Sequence, residues 1–232
     1  MRATVQIGAV CGMCSVTSLL GAIGAAGAEE PSFSTMAPVE QYRMASRSEE
    51  ISLARSAAPP SISGDAEVLV LGDRGYETAV KGKNGFVCLV ERSWFASFGD
   101  PVFWNPQIRG PDCLNASAAS TVLPANLEKT QWALAGLSKA EMLTRAKSSA
   151  AAQRAPAPGS MGYMMSKQQQ LSSADGHWHP HLMFFLPHTP ASAWGGNLPG
   201  SPVMGAESNP DEPTIFVVPV GKWSDGTSAP AS

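Results

Sequence analysis

All four histidines of this 232-residue chain fall in one short stretch, DGHWHPHLMFFLPH at residues 175–188. His177, His179 and His181 are spaced i, i+2, i+4, so in an extended segment their imidazoles project from one face. Neutral imidazole binds zinc, copper, nickel or iron. Met183 continues the same parity, and Met164 and Met165 lie on a strand that can pair nearby; a mixed His/Met set favours copper. Copper or zinc is therefore the cofactor this stretch would hold, through His177, His179 and His181. Three successive same-face imidazoles splay apart, however, unless Pro180 bends the segment. No carboxylate follows the H-x-H pair either: Leu182 to Pro187 is apolar, and Asp175 is the nearest acid. Two other roles fit the same residues. The histidines can hydrogen-bond loop carbonyls at the mouth of a strand, or one of them can act as the acid or base of a hydrolase. Trp178 and Trp194 would then line a pocket or the core, and His188, after Pro187, reads as a turn residue.

Other catalytic patterns are missing from the sequence. There is no H-E-x-x-H, G-x-S-x-G, Ser-x-x-Lys, phosphate-binding loop or dinucleotide glycine fingerprint. Ser160 and Ser166 have only a glycine-rich neighbourhood and a lysine beside them, which is a weak nucleophile signal.

The start of the chain bears on compartment. Arg2 is followed by an uncharged run of small and apolar residues that ends in Ala26-Gly27-Ala28 before Glu29-Glu30. A basic start, an apolar middle and an A-x-A site are what a signal peptidase reads, so residues 1–28 are expected to be a cleavable signal peptide. The mature protein is then extracytoplasmic, periplasmic or secreted, with no membrane span, since no later apolar run is long enough. It keeps two cysteines, Cys88 and Cys113. An even pair in an exported chain is expected to form a disulfide, closing a loop worth about 3 kcal/mol. Two separate thiols or a redox pair are the alternatives, though the spacing lacks C-x-x-C. A net charge of −3, one unit more negative once Arg2 is lost, leaves no electrostatic footprint for nucleic acid.

These chemical groups must be positioned by a scaffold rich in turns, with 22 glycines and 19 prolines. Residues 29–60 read as a flexible leader and one short helix, with Ser46 and Glu49 in a capping pattern and Pro59-Pro60 as the stop. Residues 61–223 form a single α+β domain, and 224–232 a flexible tail. Strand-like runs at 67–71, 76–81 and 86–92 around two glycine turns predict a three-stranded antiparallel meander. Val68 and Val70 face opposite to Leu69 and Leu71, so the first strand is apolar on both sides. The aromatic stretch from Trp94 to Asp112 reads as a long loop pinned to the sheet, or as a ligand-binding loop. Helices follow between 116 and 152, with Pro124 in a first turn and a capping box at Ser138 to Glu141. MGYMMSK, HLMFFLP and TIFVVPV supply further strands. The fold class expected is α+β, an antiparallel sheet of about five or six strands with a helical layer on one face.

GYETAVKGKNGFVCLVERSW and GHWHPHLMFFLPH together resemble segments of uncharacterised exported bacterial proteins. The resemblance implies a bacterial, extracytoplasmic setting and carries no activity, partner or site residue. From the residues, the leading expectation is a non-enzymatic extracytoplasmic binding or structural protein. A copper or zinc protein centred on the histidines is the alternative, and a hydrolase using one of them the next.

Overall fold

The computed structural model describes residues 33–172, 178–207 and 212–230. The expected signal peptide and His177 lie outside the described residues. Among the described residues, no helix is long and apolar enough to cross a membrane.

Two-sided apolar patterning in the first strand predicts cover on both of its faces, and that is what the chain builds. Strand β1 (Glu67–Gly72) turns tightly at Asp73-Arg74 into β2 (Gly75–Val80). Val68 packs on one side against α1 (Arg47–Arg55), whereas Leu69 packs on the other with residues of α3 (Ala116–Thr121) and α4 (Leu123–Leu134). Helices therefore lie on both faces of the sheet, not on one. A single turn, α2 (Pro60–Ser63), links α1 to the sheet.

The expected meander is corrected at the third strand. Strand β3 (Val87–Glu91) does not add beside β2 but pairs in parallel with β1 on its other side, Glu67 against Val87 and Val68 against Cys88. The connection from Val80 crosses beneath the start of β1, where the Lys83 amide donates to the Asp65 carbonyl and the Glu67 amide to that of Phe86. Gly82 makes this crossing: a Cβ there would stand 2.2 Å from the Glu67 nitrogen. No other residue fits so close a backbone approach.

From β3 onward every pairing is antiparallel, and the eight-stranded sheet runs β2-β1-β3-β4-β5-β6-β8-β7. The added strands are β4 (Gly110–Leu114), β5 (Met161–Met164), β6 (His181–Leu186), β7 (Met204–Ala206) and β8 (Thr214–Pro219). The sheet is thus mixed and larger than expected. Gly110 and Pro111 disguise β4 as a turn, and β7 is three residues inside what reads as one long loop. Helix α5 (Lys139–Ala146) starts at Ser138 with the capping box complete, and Asn115 caps α3 by accepting from the Ala118 amide.

The aromatic stretch is core. Trp94, Phe103 and Trp104 are buried, and the Trp94 indole donates to Thr130 of α4 at 2.9 Å. Residues 33–45, read as leader, lie against it: Tyr42 is wholly buried, tilted 4.8 Å from Trp94, and its hydroxyl donates to the Trp104 carbonyl. The tail is also tied down, by a Lys167–Asp225 ion pair and by the Ser224 amide donating to Met165.

Cys88 and Cys113 form a disulfide between directly opposed positions of β3 and β4. Its two cysteines, 25 positions apart, enclose the aromatic stretch, so cutting the bridge frees that segment in the unfolded chain at a cost of about 3 kcal/mol. Urea unfolding of a Cys88→Ala, Cys113→Ala double variant should show this loss with an unchanged native far-ultraviolet circular dichroism spectrum. Equal stability would mean that the bridge adds nothing to what the strand pairing already holds.

Candidate functional site

The disulfide register sets Leu89 opposite Asp112 and Glu91 opposite Gly110. Because side chains alternate, Leu89, Glu91, Asp112 and Leu114 share the face turned toward α3 and α4, away from the bridge. Glu91 and Asp112 are diagonal neighbours on that face. Two glycines make room for them. A Cβ on Gly110 would come within 3.4 Å of the Glu91 Cβ and 3.0 Å of the Met164 methyl, and one on Gly162 of β5 would sit 2.5 Å from Asp112 Oδ1.

Asp112 is wholly buried, and among the described residues neither of its oxygens meets a donor in hydrogen-bond geometry. The Cys113 amide favours its ionised form only weakly. Two carboxylates can only accept, so a bond between Glu91 and Asp112 requires one of them to keep a proton. Burial drives them there. It pushes Glu91 up to about 7, against the pull of Asp112 and Lys129. Burial and the Glu91 charge together hold Asp112 well above the carboxylate range.

Lys129, on α4, faces the same region. Its Nζ donates to the Ala96 carbonyl at 3.3 Å and stands 4.7 Å from the centre of the Phe98 ring. Burial lowers its pKa, while the carboxylates of Glu212 and Glu91 oppose the shift. Glu212, just before β8, accepts from the Ser97 hydroxyl at 2.9 Å through Oε2, and its buried Oε1 has no donor among the described residues. Among the described residues the ion pairs are Arg43–Asp73, Arg47–Glu77, Arg92–Glu50 and Lys167–Asp225. Lys129 and Glu212 are thus both at one pocket without direct ion-pair contact. This pocket, about 130 Å³, lies between α4, α5 and the β6–β8 part of the sheet; its walls include Phe95, Phe98, Val122, Phe185 and Ile215, with Lys147 and Arg154 also lining it.

The histidines are divided by their surroundings. His181 opens β6, 3% exposed, with Met164 of β5 opposite on one side and Pro219 of β8 on the other. Its Nδ1 is 2.7 Å from the His179 carbonyl and donates to it, and burial lowers its pKa. The ring is therefore neutral at pH 7, with its lone pair on Nε2. His179 itself is exposed, as is His188 beyond the strand. Gln169 holds the approach to β6 by donating to the carbonyls of Trp178 and His179. The parity expected of Met183 holds, since it shares a face with His181 and Met164. Trp178 lies 5.7 Å from the His181 ring, but Trp194 is on the opposite face, stacked on Phe216. Among the described residues, no three His, Cys, Asp or Glu side chains gather so as to hold an ion.

Glu91, Asp112, Lys129 and Glu212 go unremarked in a motif search because their grouping is tertiary. One signal was available for the acids: antiparallel pairing through a Cys88–Cys113 bridge already sets Glu91 and Asp112 on the same face. Compared with family models, curated proteins and solved structures, the chain matches none.

The acid pair makes stability depend on pH in a defined direction. Both folded values lie above the unfolded ones, so the pair's contribution is full below the unfolded Asp112 value of 3.8 and is lost as pH rises, the Glu91 part through about 7. An Asp112→Asn variant keeps a donor for Glu91 without the second charge. Between pH 4.5 and 8, wild type should lose unfolding free energy relative to this variant, which lacks the Asp112 carboxyl that burial and Glu91 hold well above the carboxylate range. Parallel pH profiles would rule out a shared proton.

Proposed function

We propose that this is a non-enzymatic extracytoplasmic binding protein whose ligand sits in the pocket between α4, α5 and the β6–β8 part of the sheet. The observation that carries the reading is the composition of that pocket: mostly apolar walls around Lys129 and Glu212. A concave apolar site with a few placed polar groups is the usual form of a small-molecule seat. At about 130 Å³ it suits a ring-sized group. Binding fits better than hydrolysis. The Ser97 hydroxyl is in contact with a carboxylate, a weak base for it, and Lys129 Nζ is turned to the Ala96 carbonyl. The Cys88–Cys113 bridge and the signal-like start of the chain support an oxidising, extracytoplasmic setting. Toluene should raise the melting temperature of the wild-type chain but not that of an Ala125→Trp variant, in which the new indole fills the pocket. Toluene without effect on wild type, or with the same effect on both, would refute the assignment.

A second reading keeps the histidines as a copper or zinc site. His181 donates Nδ1–H to a carbonyl, the arrangement that fixes the tautomer of a metal-ligating histidine and leaves Nε2 as the ligand atom. Copper or zinc titration should then show sub-micromolar binding that is lost in a His179→Ala, His181→Ala variant. Equal binding in both chains, or none in either, would end this reading.

A further inference from the structure

The charges that line the pocket are unequal in number and in how far they are balanced. Among the described residues its lining holds three cations, Lys129, Lys147 and Arg154, against one acid, Glu212. Lys129 and Glu212 are half-buried and already engaged. The carboxylates of Glu212 and Glu91 both act on Lys129, whose Nζ donates to the Ala96 carbonyl. Glu212 Oε2 takes the Ser97 hydroxyl, and Oε1 is sealed from solvent. Lys147 and Arg154 differ on both counts. Their side chains are exposed while lining the cavity, so they stand where it meets water. Among the described residues neither has a carboxylate partner. Arg154 donates once, to the Ser120 carbonyl of α3 at 3.1 Å, which steadies the guanidinium beside the cavity and leaves other N–H groups for a second acceptor.

We propose that the pocket takes a small amphipathic anion, an aryl carboxylate being the type ligand, with its ring among the apolar walls and its carboxylate at the mouth between Lys147 and Arg154. The inference rests on the binding reading above and names its ligand class. Phe95, Phe98 and Phe185 among the walls suit an aromatic body. A cavity of comparable volume holds one benzene ring, so a ring that fills this one carries its charged group to the mouth. A carboxylate held there stays in contact with water and avoids most of the desolvation that penalises a buried ion. The planar guanidinium matches the two carboxylate oxygens with parallel N–H bonds, and the lysine ammonium adds a point charge. Apolar walls strengthen the effect, because a cleft lined by one sign of charge concentrates its field and raises the local level of the opposite ion. This cationic mouth belongs to a chain whose net charge is −3, so it is a local feature and not a general one.

The test is a four-ligand comparison by isothermal titration on the wild-type chain, using p-toluate, toluene, p-cresol and 4-methylbenzylamine. The expected order places p-toluate first, roughly tenfold tighter than toluene through two partly exposed charge pairs, with the amine last. Added sodium chloride should weaken p-toluate without weakening toluene. In a Lys147→Glu, Arg154→Glu variant, whose changes fall on exposed side chains, p-toluate should drop to the level of toluene or below and the amine should gain. Toluene or p-cresol binding as tightly as p-toluate would overturn the anion assignment and leave the binding reading intact. Preference for the amine would overturn it in favour of a cationic ligand. A p-toluate preference that ignores salt, or that survives the charge reversal, would overturn the placement of the carboxylate at Lys147 and Arg154. Failure of all four ligands would bring down the binding reading as well. The wild-type comparison and its salt dependence decide among these outcomes even if the variant does not fold.

Discussion

The arrangement of the first half of the molecule depends on one buried cation. Arg92 follows β3 with its side chain fully enclosed, and its guanidinium donates to Glu50 of α1, to the Tyr42 carbonyl and to the Val90 carbonyl. Glu50 Oε1 in turn accepts from the Leu71 amide at the end of β1. One ion pair therefore binds the helix, the segment before it and two strands. Taking two charges out of water is expensive, and further hydrogen bonds offset that cost, two from Arg92 to carbonyls and one from the Leu71 amide to Glu50. Its geometry is correspondingly exacting. The guanidinium fork has fixed directions, so α1 and Tyr42 are held at one height on the sheet. Tyr42, once there, leans on Trp94, and the aromatic stretch packs around it.

The opposite face of the same sheet carries the acids and the pocket. Glu91 lies one residue before Arg92 and points the other way, so β3 sends an anion to one side and a cation to the other. Neither compensates its neighbour in sequence; each finds its charge balance in a different layer. On the pocket side that balance is shared, because Lys129 interacts with Glu91 and with Glu212. The acid pair and the pocket are consequently parts of one electrostatic system.

Much of the scaffold was legible in local patterns. The β1–β2 hairpin, the strands at Met161, His181 and Thr214, the capping box at Ser138 and the disulfide all follow from short-range chemistry that tertiary contacts merely use. What was hidden depends on who pairs with whom. The parallel placement of β3 rests on Gly82 passing under β1, and nothing in KGKNG distinguishes that from a hairpin turn. Strand β4 starts with Gly-Pro, residues that argue against a strand anywhere, and it holds because the disulfide and the β3 ladder hold it. The docked segment 33–45 has no period since it packs through isolated side chains, Tyr42 foremost. The histidine stretch drew attention by composition, yet composition could not say that His181 turns inward while His179 stays in water. The half-buried charged groups of the pocket come from 129 and 212, too far apart in sequence for any spacing rule, whereas Lys147 and Arg154 line it with exposed side chains.

The strand order also bears on how the chain can be assembled. After β3, each of β4, β5 and β6 adds at the edge left by the strand before it, and only the last two change places, β8 joining β6 ahead of β7. A chain emerging from its N-terminal end can therefore lengthen the sheet in one direction, without reopening pairs already made. The growing edge always exposes unpaired amides and carbonyls, a template for any neighbouring chain. That exposure ends when β8 arrives and the three-residue β7, too short to recruit a partner, becomes the final border. Synthesis and protection are thus completed by the same late segment.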